Sequence, residues 1–278
     1  MQYSLRTVGC WIGLSVGLSL VSACGSDTAS SQGQLNNIPP QGRPLPEVTF
    51  GVAIPDHRTS AVFEVLLMGN SHVHSHNMAS MLQLMLQQGR PQASSQVKVV
   101  GDYAFLDERL SDGQTLATVQ SRPWTHVVLQ GQKYSTTGRY NYPTDAAQYW
   151  IAITKQVGAT PVLFPEHARK GNDEEGGRVF QLHQAIALQE PACVAPIPLA
   201  WYAVIMQAGL NLHEMDGNHA NQAGVALTAF VLYEVITGDP ADQLATIPQL
   251  AISASVQQQL KQLASATLQQ HSACSYRS

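Results

Sequence analysis

Short runs of apolar residues recur along this chain, and they predict the strands of one sheet. Five runs of strand length stand at 63–68, 97–100, 126–129, 161–164 and 193–197. They are nearly continuous in apolar residues instead of alternating with polar ones. This pattern is typical of strands that are buried on both faces.

Segments with helical spacing separate these runs. The apolar residues of 78–85 fall on one helical face, and Gly89 and Pro91 follow as stop signals. The same spacing predicts further helices at 149–157, 179–188, 223–236 and around 256–264. Because strands and helices alternate, we expect an α/β fold whose parallel sheet is covered by helices on both faces. Ligands bind such sheets at the carboxyl ends of the strands.

The first 23 residues have the plan of a secretory signal. Arg6 precedes a short apolar stretch at 11–21, and small residues lead to Cys24. The run 20–24 (Leu-Val-Ser-Ala-Cys) resembles a bacterial lipobox, which implies cleavage before Cys24 and lipidation of that cysteine. Gly25 follows where an inner-membrane retention signal has aspartate. We therefore expect a lipid-anchored protein of the cell envelope, on the periplasmic or surface face of the outer membrane. An ordinary secretory signal with an incidental cysteine is the alternative.

Composition divides the remaining chain into two parts. Residues 24–58 are rich in Ser, Gln, Asn, Gly and Pro, which predicts a disordered tether, and residues 59–278 form the predicted folded domain. In the mature domain, Cys193 and Cys274 could form a disulfide or remain as two free thiols. The formal charge of -4 provides no basic surface for phosphates, so we expect no nucleic-acid partner.

Two short motifs far apart in the chain carry candidate chemistry. The run 69–71 (Gly-Asn-Ser) directly follows the first apolar run, and the run 216–219 (Asp-Gly-Asn-His) precedes an apolar helix. Ser71 as nucleophile, His219 as base and Asp216 as its orienting acid are the parts of a serine hydrolase site. Each motif also has a structural explanation, since Ser71 could be a helix N-cap and 216–219 a solvated turn.

Taken together, these motifs resemble the SGNH (GDSL-type) hydrolase family, in the branch whose serine motif reads Gly-Asn-Ser. The similarity extends over residues 63–238. It implies the flavodoxin-like, five-stranded fold of that family, with Ser71, Asp216 and His219 as catalytic residues. The run 99–102 (Val-Val-Gly-Asp) resembles the second block and implies an oxyanion amide at Gly101. The run 127–132 falls at the third block, which makes Gln130 the expected side-chain donor to the oxyanion, with Gln132 as second choice.

The resemblance implies an esterase that forms an acyl-enzyme, needs no cofactor or metal, and removes short acyl groups from a small or glycan substrate. Two positions depart from the family pattern. Ala220 stands where most members have proline, and Gln130 where most have asparagine. They leave a rival open: a non-catalytic surface lipoprotein that has kept the fold and binds a glycan or a protein partner.

A cluster of histidines follows the candidate nucleophile. In an extended segment, His72, His74 and His76 would share one face and could hold zinc in a metal-binding lipoprotein, whereas a helical turn would scatter them. In the helical case, one of them is expected to line the entrance of the pocket. Glu166 and His167 follow the fourth strand and therefore belong to the same edge of the sheet, where they could contact substrate or lie in a solvated loop.

Overall fold

A parallel five-stranded sheet forms the centre of the molecule in a computed structural model, which describes residues 45–276. The strand order is β2-β1-β3-β4-β5, and all neighbouring strands are parallel. The strands are β1 Val62–Met68, β2 Ser94–Val99, β3 His126–Gln130, β4 Thr160–Phe164 and β5 Cys193–Val194. This is the flavodoxin-like α/β sheet that the sequence predicts.

Helices connect the strands and cover both faces of the sheet. They are α1 Ser71–His74, α2 Met78–Gly89, α3 Gln114–Gln120, α4 Asp145–Gln156, α5 Asp173–Gln189, α6 Ile197–Ala208, α7 Gln222–Thr237 and α8 Ala254–Gln270. The predicted helices all form, although α4 and α5 begin several residues before their predicted starts. The predictions did not include α3, which contributes only two buried residues.

Two hydrophobic cores lie on the opposite faces of the sheet, because successive side chains of a strand point to opposite sides. On β1, Val65 and Leu67 pack with α2, α6, α7 and α8. Leu66 and Met68 of the same strand pack on the other face, with α3, α4 and α5. The molecule is therefore a three-layer α/β/α structure, as expected.

The fifth strand is shorter than its apolar run. The sequence predicts a strand over 193–197, but β5 ends at Val194, and α6 begins at Ile197. Pro196 is the N-cap of α6, and Pro198 stands in its first turn. Proline lacks the N–H that a strand ladder uses and suits the start of a helix, which explains why the apolar run changes from strand to helix here.

The segment 45–58 belongs to the predicted tether, yet it lies against the domain. The Tyr149 hydroxyl donates to the Pro46 carbonyl (3.3 Å), the Gly51 amide donates to Glu190 (2.7 Å), and the Ile54 side chain is buried. Backbone anchors and the apolar side chains of Val48 and Ile54 hold a segment whose composition alone shows little tendency to order. The predicted signal, Cys24 and the tether up to residue 44 lie outside the described residues.

Cys193 and Cys274 form a disulfide, so of the two alternatives left open by the sequence the structure contains the bonded one. The disulfide attaches the chain after α8 to β5, and the Val194 amide donates to the Ala273 carbonyl beside it (2.7 Å). Over residues 45–276, no helix combines the length and the apolar character that crossing a membrane requires.

Candidate functional site

The candidate nucleophile stands in a tight turn at the carboxyl end of β1. Asn70 caps α1, because its side-chain oxygen accepts from the His72 amide (3.1 Å), and Ser71 is the first helical residue. Gly69 allows this turn to form: a Cβ there would lie 2.1 Å from Gln130 Oε1, so only glycine fits. Within residues 45–276, the Ser71 N–H has no hydrogen-bond acceptor. It remains available to a ligand at a helix N-terminus.

The candidate base lies in the loop that precedes α7. Asp216 Oδ1 accepts from the backbone amides of Asn218 and His219 (both 2.9 Å), and Asp216 Oδ2 accepts from His219 Nδ1 (2.5 Å). The hydrogen bond from the imidazole and those from the two amides hold the pKa of Asp216 well below its usual range. The resulting carboxylate fixes the proton of His219 on Nδ1 and leaves Nε2 as an acceptor.

The fold brings these two loops together. His219 Nε2 lies 2.8 Å from Ser71 Oγ, although the two residues are 148 positions apart in the chain. The structure thus brings Ser71, His219 and Asp216 together in a continuous chain of hydrogen bonds at the carboxyl edge of the sheet. The Ser71 hydroxyl donates to an imidazole whose other nitrogen is held by a carboxylate. This arrangement can activate a serine oxygen for attack.

An open cleft of about 540 Å³ surrounds Ser71 and His219. Its walls combine aromatic rings with groups that can donate hydrogen bonds. Besides the residues already named, they include Phe105, Lys133, Tyr134, Tyr142 and Arg169. Lys133 forms ion pairs with Asp107 (2.7 Å) and Glu108 (3.0 Å). The cleft can therefore hold a small molecule that offers both apolar faces and polar groups.

The glutamines of the third block do not occupy the expected position. Gln130 has no exposed surface: its Oε1 accepts from the Asn70 amide (2.7 Å) and its Nε2 donates to Glu166 (2.5 Å). Gln132 donates from Nε2 to the carbonyls of Lys133 (2.8 Å) and Pro143 (3.0 Å). The expectation that either side chain provides an oxyanion donor in the cleft is wrong. The extra methylene of Gln130 lets its amide reach under the serine turn instead of into the cleft.

A buried arginine that the sequence analysis missed holds the second block beside the serine turn. Arg109 donates to the carbonyls of Gly69 (2.6 Å) and Asp102 (2.9 Å), and it pairs with the Asp102 carboxylate (2.6 Å). Gly101 therefore follows β2 close to this turn, in an exposed loop that does not line the cleft. No local pattern marks Arg109 as a bridge, because its partners come from two other loops.

Glu166 joins several parts of the site. Its side chain is buried (8% exposed) and accepts from Gln130, from the Tyr134 hydroxyl (3.2 Å) and, at a longer distance, from Asn70 Nδ2 (3.4 Å). His72 Nε2 lies 3.6 Å from the same carboxylate. Glu166 thus lies in a buried hydrogen-bond network and not in a solvated loop.

Histidine rings stack behind the candidate base. The His72 ring is stacked on His219 (centroids 5.2 Å apart), and His167 contacts His72 edge-on and stacks on Trp201 (3.6 Å). Burial lowers the pKa of His72, against the opposing effect of Glu166, and burial sets the pKa of His167 well below its ordinary value. His167 Nε2 donates to the Asn218 carbonyl (2.9 Å), which fixes the backbone next to the base. Both rings are therefore neutral at pH 7.

The other two histidines of the cluster point elsewhere, because the chain turns helical after Asn70. His74 Nε2 lies 3.3 Å from the Asp102 carbonyl, and His76 Nε2 lies 2.7 Å from Glu214. Over residues 45–276, no three His, Cys, Asp or Glu side chains are grouped so that they could hold a metal ion.

A second cavity, of about 470 Å³, lies between α5 and α6. Its lining is mostly apolar, with Leu199, Ile205 and Met206 of α6 among its walls. Ser71 and His219 do not reach it, and Arg169 is the residue that it shares with the cleft. We place the candidate chemistry in the cleft, because the hydrogen-bonded serine, histidine and aspartate lie there.

The fold and the site define an α/β protein with a serine-hydrolase-type constellation at the carboxyl edge of its sheet. No protein-family model matches the sequence, and a search of curated proteins finds no significant match. Solved structures do match. A DUF4886 family protein from Bacteroides uniformis has a TM-score of 0.59 at 10% identity, covering 77% of this chain and 98% of that one. LAE5, an alpha/beta hydrolase from the Lake Arreo metagenome, has a TM-score of 0.50 at 14% identity, covering 63% and 95%.

A proposed SGNH hydrolase from Slackia heliotrinireducens is 24% identical, with a TM-score of 0.49, and the match covers 62% of this chain and 98% of that one. At these identities the likeness concerns the fold. These matches confirm the α/β fold with its parallel five-stranded sheet, and the family resemblance stays a prediction from the sequence motifs.

Proposed function

We propose that this protein is a serine ester hydrolase that forms an acyl-enzyme on Ser71. The observation that carries the proposal is the hydrogen-bond chain from Ser71 Oγ to His219 Nε2 (2.8 Å) and from His219 Nδ1 to Asp216 (2.5 Å). These atoms come from two loops distant in sequence, and they meet at the floor of an open cleft. If Ser71 were only a helix N-cap and 216–219 only a turn, the side chains of Ser71, His219 and Asp216 would not need to align.

In the proposed reaction, Ser71 Oγ attacks the ester carbonyl while its proton passes to His219 Nε2. Asp216 stabilises the imidazolium that forms. His219 then gives the proton to the leaving alcohol, and a water molecule repeats the sequence to release the acid. The oxyanion is held by the Ser71 N–H, which has no other acceptor within residues 45–276, whereas Gly101 lies outside the cleft.

For the substrate, we propose a short acyl ester on a carbohydrate or on another small alcohol. The Gly-Asn-Ser branch of the family supports this class, and so does the cleft, where Phe105, Tyr134 and Tyr142 stand beside hydrogen-bonding groups. Aromatic faces and polar groups together suit sugar rings, which present both C–H faces and hydroxyls. Comparing turnover of p-nitrophenyl acetate, p-nitrophenyl decanoate and acetylated xylo-oligosaccharides tests it. A preference for the decanoate would contradict the short-acyl assignment.

A fluorophosphonate probe tests the nucleophile directly. We expect it to label wild-type protein at Ser71, to leave Ser71→Ala unlabelled, and to label Ser75→Ala like the wild type. Ser75 is a suitable control because its hydroxyl lies in the same short helix and donates to the Ser71 carbonyl (3.0 Å). Absence of labelling in the wild type, or persistent labelling of Ser71→Ala, would show that Ser71 is not an activated nucleophile.

We also propose that the protein is held in the cell envelope by a lipid on Cys24. The lipobox-like run 20–24 supports this, and the disulfide between Cys193 and Cys274 fits an oxidising compartment. Labelled palmitate should be incorporated by the wild type in a bacterial host and not by Cys24→Ala. Equal incorporation by both proteins would contradict the anchor.

A further inference from the structure

Glu166 is a buried acid beside the candidate triad to which the proposed reaction assigns no step. It follows β4 at the carboxyl edge of the sheet, with its Oε1 2.5 Å from Gln130 Nε2. Gln130 in turn accepts from the Asn70 amide (2.7 Å), one residue before Ser71. Glu166 is therefore connected to the serine turn through one buried side chain.

The hydrogen bonds identify Glu166 as a carboxylate. The amide groups of Gln130 and Asn70 can only donate to its Oε1, and the Tyr134 hydroxyl donates to its Oε2. Among the described residues, no lysine or arginine forms an ion pair with it, and the His72 ring beside it is neutral at pH 7. A buried negative charge without a cationic partner is costly, so its presence beside a reactive site requires an explanation.

His72 provides the connection between this charge and the base. Its Nε2 lies 3.6 Å from Glu166, and its ring is stacked on His219 at 5.2 Å with 26° between the planes. His72 Nδ1 is buried without a hydrogen-bond partner in the described part of the chain. The imidazole therefore lies between an anion and the ring that becomes positive during acylation.

We propose that Glu166 is a positioning residue that acts on both halves of the site. Through Gln130 it fixes the Asn70–Ser71 turn, and through His72 its negative charge stabilises the protonated form of His219. This inference rests on the proposed function. His219 would then be influenced by two carboxylates: Asp216, which contacts its Nδ1, and Glu166, which lies beyond the stacked ring of His72.

Other charged and titratable groups face the same region. Asp216 touches the base directly, and His167 and His213 extend the ring stack. Tyr134 contacts Glu166, Glu175 acts on Tyr134, and Arg169 lines the cleft. Burial, reinforced by Glu166 and Glu175, raises the pKa of Tyr134 far above its ordinary value, so this hydroxyl stays neutral. Arg169 and Lys133 are the cations that line the cleft, and Lys133 is paired with Asp107 and Glu108. Their effect on His219 is opposite in sign to that of Glu166, and both residues are unchanged in the variants.

Two variants separate charge from shape. Glu166→Gln keeps the volume and an acceptor for Gln130 but removes the charge. His72→Phe keeps a flat ring against His219 but removes the nitrogen that faces Glu166. Glu64→Gln is the matched control: Glu64 lies on β1, the strand that delivers Ser71, and pairs with Arg122 (2.7 Å) away from the cleft. Each protein is assayed for the second-order rate of fluorophosphonate labelling and for turnover of p-nitrophenyl acetate between pH 4 and 9.

We expect Glu166→Gln to react about 10- to 100-fold more slowly than the wild type, because a neutral amide accepts more weakly from Gln130 and Asn70 than a carboxylate does and holds the serine turn less firmly. Without the buried negative charge, protonation of His219 is less favourable, so the acid limb of the rate profile should move to lower pH by about half to one unit. His72→Phe should show the shift with a smaller rate loss, and the double variant should shift no further than Glu166→Gln. Glu64→Gln should match the wild type.

The outcomes distinguish this inference from the proposed function. If the wild type is not labelled at Ser71, the proposed function fails and this inference fails with it. If the wild type is labelled, and Glu166→Gln and His72→Phe both keep its acid limb, Glu166 has no electrostatic role and the inference is overturned. Should Glu166→Gln not fold, an unshifted acid limb in His72→Phe alone has the same meaning.

Discussion

A buried glutamate lies at each of two edges of the sheet, one formed by the amino ends of the strands and the other by their carboxyl ends. The two glutamates have different hydrogen-bond and ion-pair partners. At the amino edge, Glu190 follows α5 and forms an ion pair with the Lys155 ammonium, both side chains being almost wholly buried. At the carboxyl edge, Glu166 is nearly as deeply buried but faces amides, a hydroxyl and a histidine. The same residue type is thus neutralised at one edge and left charged at the other.

This difference separates a structural role from a functional one. The Lys155–Glu190 pair satisfies its own charge and also anchors the segment before β1, since Glu190 accepts from the Gly51 amide and Lys155 donates to the Val52 carbonyl (2.7 Å each). A carboxylate without a cationic partner contributes less to stability, but its negative charge favours protonation of a neighbouring base. Perturbing each edge should therefore change different measurable quantities.

The largest effect on stability is expected for Glu190→Gln. This change leaves the Lys155 ammonium buried without a carboxylate, which costs about 3–5 kcal/mol of the free energy of unfolding. The rate at which the folded fraction reacts with a fluorophosphonate should remain that of the wild type, because the pair lies at the edge opposite Ser71. Urea denaturation and labelling of the same samples measure the two quantities.

Glu166→Gln should show the reverse, with a smaller loss of stability and a large loss of labelling rate. The comparison between the edges would be broken if Glu190→Gln slowed the labelling of folded protein as much as Glu166→Gln does.

A second, smaller effect at the amino edge depends on pH. His126 begins β3 with no exposed surface, its Nε2 has no hydrogen-bond partner among residues 45–276, and burial lowers its pKa from 6.5 to about 3. Between those values the unfolded chain binds a proton that the folded chain does not, so stability is present above pH 6.5 and is lost as the pH falls towards 3. The maximal slope is about 1.4 kcal/mol per pH unit.

His126→Phe tests this effect because it keeps a ring against Phe63 and cannot titrate. We expect its free energy of unfolding to fall less steeply than that of the wild type between pH 6.5 and 4, by up to about 1 kcal/mol per pH unit. His183, whose pKa burial lowers to about 4, keeps a residual slope in both proteins. Parallel slopes for the two proteins would exclude His126 as a source of acid sensitivity.

The sequence predicts most of the architecture because the strands and helices follow from local patterns. The buried strand β3 reads as an apolar run, and α7 has Asn221 as its N-cap and Gly238 as its C-cap. The approach of Ser71 to His219 is also predictable, since both motifs follow from recognisable blocks. Even so, the same blocks led to a wrong assignment for Gln130.

What the sequence could not predict depends on contacts between distant segments. Gln130 meets Glu166 across 36 positions, and Asn70 meets Glu166 across 96. Whether a glutamine amide points into a cleft or beneath it depends on which acceptor lies within reach, and that acceptor was identified only as a possible substrate contact. Arg109 was missed for the same reason, as a buried arginine has no local signature.

The smallest effect is expected at the solvent-exposed side of the carboxyl edge, at His76. Its backbone is in the left-handed region (φ 42°), as is that of Asn77 (φ 56°), and its ring contacts Glu214 at 2.7 Å. Glycine at position 76 relieves about 1 kcal/mol of backbone strain. It also removes the exposed contact with Glu214, which contributes less than about 1 kcal/mol, and it adds flexibility to the unfolded chain.

These contributions nearly cancel, so His76→Gly should change the free energy of unfolding by less than about 1 kcal/mol. Asn77→Gly is the matched control, because it relieves the same kind of strain and leaves the contact between His76 and Glu214 intact. The Glu214 amide donates to the His219 carbonyl (2.8 Å), so the contact connects the loop of the base to the segment that follows Ser71. A labelling rate at Ser71 more than about tenfold lower in His76→Gly than in Asn77→Gly would show that this exposed contact positions the base. Residues that act on the site would then include exposed ones as well as buried ones.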